Sequence, residues 1–474
     1  MADLPQPRPD EPGDLPDMAE LLRQVQQALG DSDNPEVAEA LKAMGIDRLD
    51  PASMQLLGAQ MQAMLAASAD RPFNAALAGD VARQQVATTG DRTVGAAARR
   101  EVEQAVHVAA LWLDAVTDLS VPGSGPTGAA QAWSRAEWVD QTMPVWRALV
   151  DPVAAGVSAA VVSALRAQLG RLGESGMELP AIPGLPAGTE PTAMMGQMEP
   201  MLTTMSSAMF GVQVGQAVGA LAADMVSGTE VGLPLVGEHA VVLLPANIEA
   251  FAAGLGVDHA EVVLYLATRE VARVRLFAAV PWLGPLLLEA VQAYARDISI
   301  DTERIEAAVR EVNPSDPAAM QAALSESLFT PEPSAAQAAA LQRLETYLAL
   351  VEGWVDVVAE QATTGHLPQT AALGEAVRRR RATGGPAERM FSQLVGLELR
   401  PRRLRDAATL FRALHASSGP AGRDTAWAHP DLAPTAADLD DPLGYVERVR
   451  SAPARDELDD ALESWLRDSG EAAP

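Results

Sequence analysis

Four charged side chains interrupt an otherwise apolar run and are the first residues of this chain that could carry chemistry. Arg269, Glu270, Arg273 and Arg275 stand within EVVLYLATREVARVRLFAAVPWLGPLL, residues 261–287. Helical spacing puts Glu270 in reach of Arg273 at i+3 and places Arg269 on the same face as Arg273 at i+4. Burying such charges unpaired costs on the order of several kcal/mol per ion. The pattern indicates either an internal ion-pair cluster that ties this helix to another, or a polar site in a helical cleft.

Histidine and cysteine, the usual protein ligands of transition metals, offer no recognisable metal motif. The absence of cysteine excludes disulfides, thiol nucleophiles, iron–sulfur clusters and every Cys-type zinc site. No two of the six histidines stand at i and i+4, as they do in an HExxH zinc helix. They are His107, His239, His259, His366, His415 and His429. A metal site would therefore need scattered histidines and carboxylates to converge in space.

Motifs for other common chemistries are also missing. Lys42 is the only lysine and lies in a Leu-Lys-Ala context, so it fits neither a P-loop nor Schiff-base chemistry well. The segments 123–125 and 173–176 resemble a nucleophile elbow only loosely, and neither follows a predicted strand. Gly254-Leu255-Gly256 lacks the third glycine and the preceding strand of a dinucleotide site.

The charge balance restricts the partners of the protein. With 35 basic and 63 acidic residues the net charge is −28, which argues against nucleic acid and anionic membrane and fits a cytoplasmic protein. One segment, 378–405, is nevertheless rich in arginine. It could form a nucleic-acid or phosphate patch, but it lacks interleaved aromatic residues for base stacking. We favour pairing with acidic residues of this chain or of a partner. The arginines are Arg378, Arg379, Arg380, Arg381, Arg389, Arg400, Arg402, Arg403 and Arg405.

An uncharged stretch, Met201–Ala223, carries a doubled GxxxG pattern at Gly211, Gly215 and Gly219. Such a pattern is typical of membrane-spanning or self-associating helices. It also suits a soluble helix that lets a neighbouring helix approach closely along its glycine face. Several Ser, Thr and Gln side chains in the stretch are costly in lipid, so we predict no stable membrane span. We favour the soluble packing helix and keep self-association as an alternative.

Composition predicts a mainly α, multi-helix protein with very little strand. Apolar residues make up 48% of the chain but aromatic residues only 4%, and Ala and Leu favour helix. Only residues 239–244, HAVVLL, look like a strand. Capping boxes at Ser134–Glu137 and Asp258–Glu261 predict two helix starts, and Pro281 ends the charged helix.

The predicted organisation has six segments. A disordered tail without signal-peptide features precedes a small N-terminal helical segment, a longer helical region and a Pro/Gly-rich linker. A helical core that contains the charged helix follows, and an acidic C-terminal extension ends the chain. These segments are 1–16, 17–72, 73–179, 180–193, 194–425 and 426–474.

The charged helix and several other stretches resemble one family. They are similar to actinobacterial zinc-dependent metalloproteases or hydrolases of the zincin-like type 2 family, from about Phe73 to Leu443. The resemblance implies a zincin-like active-site helix in a helical core, with zinc in intact members. The stretches that carry it are 80–105, 132–154, 209–235, 243–257, 350–358, 375–410 and 427–446.

This chain departs from the family's sequence at the metal motif. Family members carry REAAHxRLFxHVPWL where this chain has REVARVRLFAAVPWL, beginning at Arg269. The family's glutamate is retained as Glu270, the candidate catalytic residue. Its two histidines fall on Arg273 and Ala279. Arginine is always cationic and offers no lone pair to a metal, so the motif is degenerate and we predict no metal ligands or cofactor here.

Two functions follow from this departure. The favoured one is a non-catalytic relative that acts by binding or scaffolding an unidentified protein or peptide. The alternative is an active metallohydrolase or peptidase that recruits remote ligands around Glu270, for instance Glu289 together with one of the distant histidines. Whether the chain is an enzyme therefore depends on what surrounds Glu270.

Overall fold

The structure, a computed structural model, describes residues 73–121, 129–174, 191–296, 334–382 and 402–451. These residues form twelve α-helices and two short strands, which confirms the mainly α prediction. The predicted tail 1–16 and N-terminal segment 17–72 lie outside them. The elements in chain order are α1 Ala75–Thr89, α2 Ala96–Asp114, β1 Ala130–Ala132, α3 Arg135–Glu174, α4 Pro191–Asp224, β2 Val241–Leu243, α5 Pro245–Ala252, α6 His259–Ala279, α7 Leu283–Arg296, α8 Ala335–Thr363, α9 Thr370–Ala382, α10 Arg402–Asp424, α11 Ala436–Asp440 and α12 Pro442–Ser451.

Both predicted helix starts are present, but only one of them has a complete capping box. At α3 the capping box is complete, because the Ser134 N–H donates to Glu137 and the Glu137 N–H donates to Ser134 Oγ. At α6 the Asp258 side chain accepts the N–H of Ala260 at 2.8 Å. Glu261 instead accepts the backbone N–H of Gln369, at 3.3 Å. The second capping box is therefore only half formed, and Glu261 joins α6 to the segment before α9.

The small sheet pairs β1 with β2 in parallel, with Ala130 opposite Val241 and Ala132 opposite Leu243. The predicted strand at 239–244 is shortened because His239 lies in a 3-10 turn with a φ of 53°. Sequence reasoning did not identify β1, whose three residues Ala-Gln-Ala carry no strand signal. β2 is completely buried and forms one wall of the interior.

The glycine face of α4 is covered by α1 of the same chain. A Cβ added at Gly215 would lie 2.6 Å from the carbonyl oxygen of Ala78, and one at Gly211 would lie 2.9 Å from that of Asn74. Gly219 meets α1 in the same way. The two backbones approach this closely because the glycines have no side chain, which confirms the favoured interpretation. Self-association through these glycines would require α1 to leave this face.

Among the described helices, no single one is long and apolar enough to cross a membrane. The helices α6 and α7 meet the length and composition criteria only as a pair, and that pair is bent by 86°.

Helices from both sides of the predicted linker share one core. The helix α4 begins at Pro191, so the last three residues of the 180–193 segment are helical, and α4 packs against α1 and α3. The described part of the acidic C-terminal extension joins the same core through Trp427, Leu439 and Tyr445. All these residues belong to one compact unit, Met64–Pro474.

The close crossing of α8 and α10 at Gly353 predicts a measurable effect on stability. A Cβ on Gly353 of α8 would lie 2.6 Å from the Cβ of Ala407 and 2.7 Å from the backbone nitrogen of Ala408 in α10. The neighbour is backbone and cannot rotate away, so we expect Gly353→Ala to lower the free energy of unfolding by about 1–3 kcal/mol. Urea denaturation followed by circular dichroism measures the change. Gly365→Ala, whose Cβ meets nothing within 4 Å, should leave stability nearly unchanged.

Candidate functional site

The charged helix α6 lies in the centre of the protein. Every residue from Tyr265 to Phe277 is buried, and α6 contacts α2, α5, α8, α9 and β2. The side chains of Arg269, Glu270 and Arg273 are therefore interior groups, with 4%, 0% and 1% of their surface exposed. Charges at this depth need partners on neighbouring elements.

Glu270 is held by four short hydrogen-bond contacts from a loop and from its own helix. Its carboxylate accepts the Ser227 hydroxyl at 2.7 Å, the Thr229 N–H at 2.9 Å and the Thr229 hydroxyl at 3.0 Å. Arg273 Nη1 donates to Glu270 Oε2 at 2.7 Å. Both carboxylate oxygens are thus occupied by donors from the protein.

The loop that carries these donors is fixed by its own backbone. The N–H of Gly228 donates to the carbonyl of Val242 in β2 at 3.0 Å, and its carbonyl accepts the Trp138 indole N–H at 3.2 Å. A Cβ at position 228 would lie 2.9 Å from the Cβ of Val242 and 3.2 Å from Glu270 Oε1. Glycine is needed at this point because the loop passes directly between the strand and the carboxylate.

Arg273 bridges two carboxylates. Besides Glu270, it donates from Nε to Glu352 Oε1 at 2.9 Å. Glu352 lies on α8 and also pairs with Arg269 at 3.1 Å and with Arg381 of α9 at 3.0 Å. Glu270 and Arg273 pair at the i+3 spacing noted in the sequence, and the cluster joins α6 to α8, as in the first of the two alternatives that the sequence left open.

A second carboxylate on α8 extends the cluster toward the surface. Asp356 pairs with Arg269 at 3.1 Å, with Arg378 of α9 at 3.3 Å and with Arg412 of α10 at 3.2 Å. Four helices are therefore joined by one continuous network of guanidinium and carboxylate groups. Such a network is stable only while every member keeps its partner.

Burial and charge act on these groups in opposite directions. Burial would raise the pKa of Glu352, but the guanidinium groups of Arg273, Arg381 and Arg269 outweigh it and lower that pKa to about 2. Burial raises the pKa of Glu270 above its ordinary value, with Arg273 acting against the rise. Glu352 is therefore the firmly ionised carboxylate of the cluster.

Arg275 takes no part in this network. Its Nη2 donates to the carbonyl of Ala110 at 3.2 Å and to Asp114 at 2.7 Å, both on α2. It joins α6 to a different helix, on the side away from Glu352.

Five of the six arginines of the arginine-rich segment whose side chains are described pair with acidic residues of the same chain, and Arg405 does not. Arg379 pairs with Glu375, Arg380 with Glu230, and Arg403 with Asp440. Together with the contacts of Arg378 and Arg381 above, this agrees with the favoured interpretation. The side chains of Arg389, Arg400 and Arg402 lie outside the described residues.

Sequence reasoning missed the acidic half of the site. Glu352 and Asp356 stand at i and i+4 within LALVEGWVDVVA, another apolar run interrupted by charge. That signal is the same one that singled out α6, and it could have paired the two helices. Ser227 and Thr229 offered no comparable signal, because hydroxyl residues in a loop are common.

The remaining predicted residues lie apart from this cluster. Ala279 is the last residue of α6 and is half-buried. Glu289, proposed as a remote ligand, lies exposed on α7, and each of the six histidines is at least partly exposed. Within the described ranges no three His, Cys, Asp or Glu side chains are grouped so that they could hold a metal ion.

The groups around Glu270 do not fit zinc. Zinc binds thiolate, imidazole or carboxylate donors at about 2.0–2.3 Å. The carboxylates of Glu270 and Glu352 face each other across Arg273, which cannot give up its proton and repels a divalent cation. Ala279 contributes a methyl group without a lone pair. We therefore derive no step through a metal.

The chain is similar to known proteins in its sequence and in its fold. Its sequence matches the family described as zincin-like metallopeptidase over residues 73–446. No curated protein matches it. A crystal structure of a candidate hydrolase with a novel fold from Chloroflexus aurantiacus is similar, with 16% identity and a TM-score of 0.52 over 80% of this chain and 100% of that chain. At that identity the structural likeness shows a shared fold alone. The sequence match, which covers well over half of the chain, makes this protein a member of the zincin-like metallopeptidase family.

Proposed function

We propose that this chain is a non-catalytic member of its family and acts by binding or scaffolding a protein or peptide. The observation that carries the proposal is the position of Arg273, whose guanidinium lies 2.7 Å from Glu270 and 2.9 Å from Glu352. It closes the space between two carboxylates with a permanent positive charge. The net charge of −28 supports a partner other than nucleic acid.

The chemistry of peptide hydrolysis supports the same conclusion. A metallopeptidase needs a metal to lower the pKa of a bound water molecule and a carboxylate to accept the proton. Glu270 is the candidate for that carboxylate, but its side chain is fully buried and accepts hydrogen bonds from Ser227, Thr229 and Arg273. It is placed to hold the fold together rather than to deprotonate water.

We also propose that the protein acts in the cytoplasm. Its strong negative charge suits a crowded aqueous environment.

Metal content and peptide cleavage test the proposal directly. We expect full-length protein, dialysed against metal-free buffer and then given one equivalent of Zn²⁺, to retain far less than one zinc per chain by elemental analysis. We expect no cleavage of a peptide library by the same sample. The physical reason is that Arg273 repels the ion and holds the carboxylates it would need.

The contrary result is equally specific. Stoichiometric zinc that survives dialysis would contradict the proposal. So would cleavage that is lost in Glu270→Gln but kept in Glu103→Gln, a matched change at an exposed position of α2. Circular dichroism of both variants separates loss of catalysis from loss of folding.

A further inference from the structure

A cavity of about 520 Å³ opens beside the ion network, between α8, α9 and α10. Its walls include Glu352 and Asp356, so the cavity adjoins the buried cluster. Arginine dominates the lining. The six that line it are Arg269, Arg378, Arg379, Arg381, Arg405 and Arg412.

The lining carries an excess of positive charge. Its acidic side chains are Glu352, Asp356, Glu360 and Glu375, so six guanidinium groups face four carboxylates and the formal charge is +2. This local sign is opposite to that of the whole chain, which is −28. A cavity of this charge in a strongly acidic protein favours an anionic ligand.

The excess charge can be assigned to particular groups. Arg405 makes no ion pair with any carboxylate that the structure describes. Arg381 shares Glu352 with Arg269 and Arg273, and its Nε is buried without a hydrogen-bond partner among the described groups. Burial, together with these neighbouring guanidinium groups, lowers the pKa of Arg381 from its ordinary value despite the attraction of Glu352. The positive charge at this point is undercompensated.

We propose that this cavity binds a small oxyanion, a carboxylate or a phosphate, between Arg381 and Arg405. Guanidinium groups match both anions, because their planar N–H donors can pair with two oxygens at once. The volume admits a small molecule or the charged end of a peptide, while the walls exclude a duplex nucleic acid. The inference deepens the proposed binding function, on which it rests, by naming the chemistry of the ligand.

Calorimetric titration of the full-length protein with inorganic phosphate and, separately, with succinate tests this site. Sodium chloride at matched ionic strength reports non-specific screening. We expect phosphate, succinate or both to bind with a dissociation constant below about 1 mM. Binding of phosphate alone would identify the phosphate class, and binding of succinate alone the carboxylate class.

Two matched variants locate the site. We expect Arg405→Gln to weaken binding about tenfold, because it removes a charged donor without leaving any carboxylate unpaired. Arg100→Gln, an exposed arginine on α2 away from the cavity, should bind like the unaltered protein. Heat no greater than that of chloride, or equal affinity of both variants, would overturn the inference. Neither outcome depends on zinc content or peptide cleavage, so failure here is distinguishable from failure of the proposed function.

Discussion

Glu352→Gln should lower the free energy of unfolding by about 3–5 kcal/mol. The substitution keeps the size of the side chain but removes the charge that neutralises Arg269, Arg273 and Arg381, all within 3.1 Å of it. Three buried guanidinium groups would then face a neutral amide. Urea denaturation followed by circular dichroism measures the loss. Glu375→Gln, which also removes a pair with arginine but at a half-exposed position, should cost far less, because solvent screens that pair.

The loss of stability in Glu352→Gln should depend on pH. Because the pKa of Glu352 is lowered in the folded protein to about 2, from 4.5, its stabilising contribution is complete above about pH 4.5 and is lost as the pH falls toward 2. The stability difference between the unaltered protein and Glu352→Gln should therefore shrink between pH 5 and pH 3. A difference that stays constant over this range would contradict the assignment.

Asp424→Asn should have an effect of similar size beside Trp354 of α8. Asp424 accepts hydrogen bonds from the Trp354 indole at 2.8 Å and the Thr117 hydroxyl at 2.6 Å, and it pairs with Arg423 at 2.6 Å. The Arg423 side chain is completely buried. Removing its only carboxylate partner among the described residues leaves that charge uncompensated, so we expect a loss of about 3–5 kcal/mol.

Thermal and urea unfolding of Asp424→Asn provide the measurement. Asp431→Asn is a suitable control, since its carboxylate is 89% exposed and pairs only with the exposed His429. A cost below about 1 kcal/mol for Asp424→Asn would show that the buried guanidinium finds compensation elsewhere, for instance from Gln361 and the carbonyl of Val116, which it already contacts.

The interior position of α6 could be predicted from the sequence because its signal is local. An apolar run with charges at i, i+1 and i+4 requires burial and pairing at once, and the structure shows both for Arg269, Glu270 and Arg273. The cap at Asp258 and the break at Pro281 are likewise set by neighbouring residues. Family resemblance added the expected chemistry and the expectation of a degenerate metal motif at Arg273 and Ala279.

The rest of the site depends on contacts between distant parts of the chain. Glu352 lies about eighty positions after Arg273, and Ser227 about forty before it, so no periodicity links them. The strand β1 could not be predicted from the sequence for a similar reason. Its three residues have no intrinsic strand preference, and only pairing with β2 gives them their conformation. The role of Gly228 is also invisible in the sequence, because it follows from a strand on one side and a carboxylate on the other.

The bridging position of Arg273 makes the present arrangement resistant to substitution. A histidine at position 273 would remove the positive charge that lies between Glu270 and Glu352. The two carboxylates would then repel each other unless a metal ion were already bound between them. Arg269 and Arg381 would still occupy the second of these carboxylates. Building a metal centre at this point would thus require several coordinated substitutions, each of which weakens folding on its own. If these substitutions occurred one at a time, the first would already lower the stability of the fold.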